Sequence, residues 1–334
     1  MKKTPLLAAA VFAAAVNATA HAQTSVQIYG VVDIGITRAN GGTSLNPGRG
    51  NIDSWGMQQG NASRLGFKGT EDLGGGNYAA FQIENRFFAD SGQQDSGALF
   101  KGLSVLKLGN PQYGELYLGR DVVPAYYLTC TSDPTCWSYT SQPGQAFAWA
   151  NYNGSVASDN SGIRRNNSIG YRTPKMNGFS SEIAYTFGEG ARSNNKGLNV
   201  QYNNGPVWLG VGYDGYGEDD RLYILTAGYH FGFVRPLLTI AQARGGPNTP
   251  NHRGKSENLA FVFPTSTGRV FTGVGHLKEN QAANRDLYLS SVKYYVGGDY
   301  YISKRTMLYA NAGTAKTETM TRSTAFDVGI KHSF

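Results

Sequence analysis

The stretch that decides the fold is the last one, Thr324–Phe334, reading TAFDVGIKHSF. Phe326, Val328, Ile330, His332 and Phe334 share one parity, and Asp327, Gly329, Lys331 and Ser333 share the other. Period-two alternation of this kind is the pattern of a β-strand with one apolar and one polar face. A final amphipathic strand with a free edge invites pairing with another chain. Closing the sheet into a barrel removes that edge and turns the apolar face to lipid. The sequence is therefore read for the other strands of a transmembrane antiparallel β-barrel.

The N-terminus and the composition fit such a barrel. Lys2 and Lys3 precede a short apolar run, Leu6–Val16, and Ala20-His21-Ala22 forms a small-x-small cleavage site. This is the layout of a secretory signal, so residues 1–22 are expected to be removed and 23–334 to form one barrel domain. Loss of the two lysines takes the net charge from +7 to +5. No Lys/Arg run of the kind that marks nucleic-acid contact accompanies that charge. Mean hydropathy is −0.37, which fits a barrel, where every second strand residue faces water, better than spanning helices.

Strands and turns alternate along the chain. Ser25–Thr37 places Val26, Ile28, Val32, Ile34 and Ile36 on one face, with Gln27, Tyr29 and Asp33 on the other. After a Gly/Asn/Ser-rich stretch, 40–61, Leu65 and Phe67 point outward while Arg64 and Lys68 point inward. Gly74-Gly75-Gly76 makes a tight turn, where positive φ is tolerated. The returning strand sends Gln82, Glu84 and Arg86 inward. Continued to Phe334, this grammar gives about sixteen strands, with short turns on one rim and longer connections on the other, the outer-membrane arrangement.

One connection, 121–163, is far longer than an ordinary loop, and loops of that size are usually functional or disordered. Tyr126, Tyr127, Trp137, Tyr139, Phe147, Trp149 and Tyr152 argue for burial, and only Asp121, Asp133 and Asp159 carry charge. A constriction loop folded into the lumen fits this composition, given the width a barrel of that size would otherwise leave open; an external cap is the alternative. Cys130 and Cys136, with Pro134 between them, are expected to form a disulfide in an exported protein. No histidine lies near either thiol, so a metal site there is not expected.

Four segments carry a family resemblance: SVQIYGVVDIGI (25–36), SRLGFKGTEDLGGG (63–76), ISKRT (302–306) and GIKHSF (329–334). With them the chain resembles the trimeric general diffusion porins of Gram-negative bacteria, of neisserial and burkholderial type, along the whole mature length. The alternating last strand with its terminal Phe also resembles the assembly signal of outer-membrane barrels. The long loop follows Leu118-Gly119-Arg120, where these porins place their constriction loop. The resemblance implies a sixteen-stranded homotrimer in outer-membrane lipid and lipopolysaccharide, passing small hydrophilic solutes without a cofactor. It also places Arg64 on the basic wall of the constriction. The acidic loop motif of many relatives is absent here.

The pore-lining candidates are Arg64, Lys68, Glu84, Arg86, Arg120, Asp133, Arg164 and Arg172, with Arg165 as the alternative to Arg164. Charge on the lipid face costs about 2–4 kcal/mol at the midplane, which directs these side chains to the lumen. A weak anion preference is expected, opposed where Glu84 neutralises Arg86 or where Asp133 faces Arg64. Gly210–Gly215 fits G-x-G-x-x-G but lies on an alternating strand with no helix behind it, so a nucleotide site is not expected. Glu218-Asp219-Asp220 reads as a solvated turn before it reads as a Ca²⁺ site. His230, His252, His276 and His332 are widely separated, with no HExxH or G-x-S-x-G motif. No catalytic or metal-ligating residue is assigned, which leaves a passive channel ahead of a substrate-specific channel and a barrel hydrolase.

Overall fold

The computed structural model describes residues 25–45, 52–138, 144–152, 163–190, 193–218, 220–245, 251–280 and 286–334. The expected signal segment 1–22, Tyr139, Asp159 and Asp219 lie outside them. The chain begins with β1 (Ser25–Asn40), β2 (Asp53–Gln58), β3 (Ser63–Gly74), β4 (Asn77–Phe87), β5 (Leu103–Asn110) and β6 (Gly114–Val122). Two helices follow, α1 (Pro124–Thr131) and α2 (Gly144–Ala148). The wall resumes with β7 (Arg164–Arg172), β8 (Phe179–Thr186), β9 (Asn195–Asn204), β10 (Val207–Tyr216), β11 (Asp220–Tyr229) and β12 (Arg235–Arg244). It ends with β13 (Arg253–Thr265), β14 (Gly268–Asn280), β15 (Tyr288–Tyr301), β16 (Thr306–Thr317) and β17 (Ser323–Ser333).

All seventeen segments belong to one antiparallel sheet that closes on itself. The seam runs from Val31↔Ser333 to Ala39↔Ala325, and Gly30 and Phe334 exchange backbone bonds of 3.0 and 3.1 Å. A Cβ on Gly30 would lie 2.4 Å from the Phe334 ring, so only glycine lets that ring close the seam. β2 and β3 lie end to end along β1, which pairs with β3 through Val31 and with β2 from Gly35; counted as one stave, they make a sixteen-stranded barrel. Asp33 fills the break between them. It is fully buried, accepts the Gly60 N–H at 2.8 Å and the Tyr309 hydroxyl at 2.8 Å, and shares its backbone with Ser63.

Alternation makes the two faces chemically different. Val26, Ile28, Leu65, Leu118, Ile183, Val211, Leu225, Val296 and Val328 are all exposed, an apolar band that on a protein in water would be a large sticky patch but suits lipid. Among the described residues no helix is long and apolar enough to cross a membrane; a barrel crosses with strands.

The long connection packs against the opposite face of β9–β14, the face a closed barrel turns inward. Leu128, Phe147, Trp149 and Tyr152 form one core with Trp208, Leu222, Ile224, Ala241 and Leu277 of the wall. The wall is cut back where the loop docks: a Cβ on Gly197 would lie 2.6 Å from Pro124, one on Gly212 2.7 Å from Leu128, and one on Gly275 3.0 Å from Phe147. Polar side chains of the wall fasten the loop backbone. Asn199 donates to the Pro124 carbonyl at 2.7 Å and Asn258 to that of Phe147 at 2.9 Å. His252 bonds the Ala150 carbonyl at 3.0 Å.

Candidate functional site

Between the loop and the β3–β4–β7 wall lies an open cavity of about 970 Å³. Arg64, Arg86 and Arg164 line it from the wall, and Tyr126, Trp137, Cys130 and Cys136 line it from the loop. Arg64 and Arg86 are direct cross-strand neighbours, an arrangement that like charges disfavour. Arg86 pairs with Glu84 at 2.7 Å, as alternation along β4 anticipates, whereas Arg64 donates to an amide, Asn61 Oδ1. Arg164 Nε donates to the Gly102 carbonyl at 2.7 Å. Tyr29 ties the wall together: its hydroxyl donates to Glu84 Oε2 at 3.2 Å, accepts from Gln82 Nε2 at 2.7 Å, and Lys68 Nζ sits 5.4 Å from its ring centre. Glu84 is thus an acid set into the wall segment that bears Arg64, Arg86, Arg164 and Lys68, and Asp90 lines the same cavity.

The remaining candidates have other surroundings. Gly119 sits at φ +125°, and the register between β6 and β7 shifts there. That bulge takes Arg120 out of simple alternation with the exposed Leu116 and Leu118. Its side chain is buried, donating to the Lys101 carbonyl at 2.7 Å and to Asn166 Oδ1 at 2.6 Å. The irregularity continues through Asn167 at φ 54°, so that the adjacent Arg164 and Arg165 are both used: the first at the cavity, the second in a buried pair with Asp214 at 3.1 Å. Arg172 is caged, with Glu115 at 3.0 Å, Asp121 at 2.7 Å and Glu182 at 3.1 Å, and its guanidinium lies 4.3 Å from the Tyr117 ring centre.

Asp133 is not among the residues lining the cavity with Arg64. It closes the turn inside the loop, accepting from the backbone N–H of Thr135 at 2.8 Å and of Trp137 at 3.2 Å. Burial pushes its carboxyl pKa up, and those hydrogen bonds and Lys293 oppose the shift. Cys130 and Cys136, which bracket this turn, are joined, their Cα atoms 4.1 Å apart. The Tyr126 hydroxyl lies 3.2 Å from Cys136 Sγ.

Nothing in the residue pattern points to Lys293, 2 % exposed beneath the loop, or to Tyr126 and Trp137 as the loop side of the cavity, because both depend on where the loop folds. The Gly210–Gly215 match lies on β10. Among the described residues no group of three His, Cys, Asp or Glu side chains could hold a metal ion. One array unseen in the sequence faces outward: His276 Nδ1 lies 3.0 Å from Glu257 Oε2 and its Nε2 2.9 Å from Ser290 Oγ.

Comparison with known proteins gives a consistent answer. The family described as Gram-negative porin matches residues 8–319. Outer membrane porin protein 32 of Delftia acidovorans is 31% identical, with 100% of each chain covered. Major outer membrane protein P.IB of Neisseria meningitidis serogroup A is 28% identical over 94% of this chain and 95% of the relative. Among solved structures, an anion-selective porin from Comamonas acidovorans superposes with a TM-score of 0.80 at 26% identity, covering 93% of this chain and 100% of that one. With its closed barrel and outward apolar band, the chain belongs to the Gram-negative porin family and resides in the outer membrane.

Proposed function

We propose that this porin passes small hydrophilic solutes passively and prefers anions, with its constriction between the loop and the wall that bears Arg64, Arg86 and Arg164. The observation that carries the reading is that basic wall facing a loop surface of Tyr126, Trp137 and a disulfide, across one open cavity. A narrow passage between low-dielectric walls focuses such a field and raises the local anion concentration. Glu84 offsets one of the three arginines, so the result is a bias and not exclusion of cations. The resemblance of the sequence to trimeric porins and that of the solved anion-selective porin point the same way. On this reading residues 1–22 are lost on export, and the barrel works as a homotrimer among outer-membrane lipid and lipopolysaccharide.

The expected reversal potential in a KCl gradient has the sign of chloride preference at low salt. It fades as the Debye length falls from about 10 Å at 0.1 M to about 3 Å at 1 M. Arg64→Ala is expected to lower the chloride-over-potassium permeability ratio. A cation-favouring wild-type ratio, or one that Arg64→Ala leaves unchanged, rules the reading out.

A second reading rests on the Glu257–His276–Ser290 array, whose order of groups is that of an acyl-transfer site. Backbone N–H groups around it are engaged in the β13–β14–β15 ladder, which leaves no preorganised backbone pair to hold an oxyanion. Ester hydrolysis in lipid vesicles that is lost in Ser290→Ala would support the enzyme reading. A blank assay alongside intact conductance ends it.

A further inference from the structure

The chain's two cysteines both lie at one place, the loop side of the constriction. Cys130 and Cys136 are half-buried and line the open cavity that Arg64, Arg86 and Arg164 line from the wall. A small hydrophilic solute entering this cavity therefore meets the disulfide directly. Structural disulfides of exported proteins resist reduction, whereas exposed ones are the labile and regulatory ones. This bond joins residues six apart in sequence, so it closes a short ring and removes little chain entropy. The loop is also held without it, through the Trp149 core and the bonds from Asn199, Asn258 and His252 to its backbone.

The surroundings suit exchange with a thiol that carries negative charge. Of the described residues lining the cavity, three are arginine and one, Asp90, is acidic. Such a field concentrates anions, and cations near a sulfur favour the thiolate that exchange requires. The two sulfurs differ. Tyr126 places its hydroxyl 3.2 Å from Cys136 Sγ and is the donor there, because a disulfide sulfur carries no proton. A hydrogen bond to a departing thiolate stabilises it, which makes Cys136 the leaving sulfur and Cys130 the point of attack. The turn closed by the bond also has an unfavourable backbone. Cys136 at φ 53° and Trp137 at φ 60° are both left-handed, a conformation uncommon for bulky residues. Opening the ring removes one restraint on Trp137, whose ring centre lies 5.2 Å from that of Tyr126 at the edge of the cavity.

We infer that the Cys130–Cys136 bond is a thiol-exchange site inside the channel, which takes small anionic thiols from the lumen and loosens the constriction when reduced. Its charge preference rests on the anion-preferring channel proposed above. A thiolate attacks Cys130 Sγ and forms a mixed disulfide, while the Cys130–Cys136 bond breaks and its electron pair leaves on Cys136 Sγ. A second thiolate attacks the sulfur of the first in that mixed disulfide, releasing Cys130 as thiolate together with the disulfide-linked dimer of the reagent. Two small thiols are oxidised and one protein disulfide is reduced. The two protons that the small thiols give up to water are taken up by the two cysteines.

The test treats the wild-type full-length barrel in detergent with mercaptoethanesulfonate, mercaptoethanol or cysteamine, which are anionic, neutral and cationic. Each rate is divided by that of the same thiol with a neutral model disulfide, which removes differences in intrinsic reactivity. At low salt the normalised rate is expected to be at least about ten-fold higher for the anionic thiol than for the cationic one. That ratio is expected to collapse at about 1 M salt and, at low salt, in R64Q/R86Q. Acid quenching early in the reaction traps the mixed disulfide, which mass spectrometry is expected to find on Cys130. In single-channel recordings the anionic thiol is expected to raise open-channel noise in wild type and to leave C130S/C136S as it was before addition. Equal normalised rates overturn the proposal, as does a bond that stays intact in the folded barrel under conditions that reduce the model disulfide. So does an adduct confined to Cys136, or wild-type noise unchanged after complete reduction. Charge-blind exchange in a channel whose reversal potential favours chloride overturns this site and leaves the proposed function standing. A cation-favouring reversal potential beside faster exchange with the anionic thiol supports the site and overturns the proposed function instead.

Discussion

Arg172→Met is expected to destabilise the folded barrel by about 3–5 kcal/mol, the usual cost of removing one partner from a buried ionic cluster. The Asp121 and Glu182 side chains are each 5% exposed and converge with Glu115 on this one guanidinium. Methionine preserves much of the volume beside Tyr117 and removes the charge, leaving three carboxylates facing one another in a confined space. Urea unfolding of the refolded barrel, followed by tryptophan fluorescence, measures the loss. Adding Glu182→Gln to the methionine variant is expected to restore part of it. A loss below about 1 kcal/mol would show instead that water solvates the cage as an exposed pair.

Trp149→Ala is expected to act on the channel more than on the barrel. Trp149 is fully buried, edge-to-face with Trp137 at 5.6 Å and stacked with Tyr152 at 6.5 Å. Truncating a buried tryptophan costs about 3–5 kcal/mol. Here that cost falls on the docking of the loop, because the strand ladders of the wall close without it. The bonds from Asn258 and His252 to the loop backbone remain, so the loop loosens at its core while still fastened at points. Single-channel recordings are expected to show larger conductance steps and more open-channel noise, with the β-sheet circular dichroism of the barrel retained. Unchanged conductance and noise would mean that the loop does not set the width of the channel.

Alternation made the wall readable. All sixteen staves follow from period-two patterning, because lipid outside and water inside impose opposite chemistry on neighbouring residues. β2 escaped that reading because it is short and sits among Gly, Asn and Ser, and its place is set by Asp33 filling the gap beside it. Patterning is also silent where both faces are apolar. Leu222 and Ile224 point inward beneath the loop while Tyr223 and Leu225 point outward, a departure that makes sense only with the loop in place. The bulge at Gly119 decided Arg120, and the left-handed Asn167 put both Arg164 and Arg165 to use. Arg172 was legible as an inward charge but not as a caged one, since two of its three carboxylates lie near opposite ends of β6 and the third on β8. Asp133 carried charge in the sequence, and only the fold of its turn shows it engaged with its own loop backbone.

The seam between Gly30 and Phe334 has a consequence for the order of events in folding. Apart from β6 and β7, which the long connection separates, consecutive strands of the wall join near neighbours in sequence and lose little chain entropy on forming. The seam alone joins the two ends of the domain, so its pairing waits for the final residue and has the greatest loop-closure cost of any ladder. Until then β1 and β17 are open edges, each a template for pairing with the wrong chain. Pairing of the hairpins and completion of the cylinder are therefore separate stages, with an unfinished sheet between them. Loss of the last residue would remove the Gly30–Phe334 bonds at one end of the seam and leave the Val31–Ser333 to Ala39–Ala325 ladder to hold it.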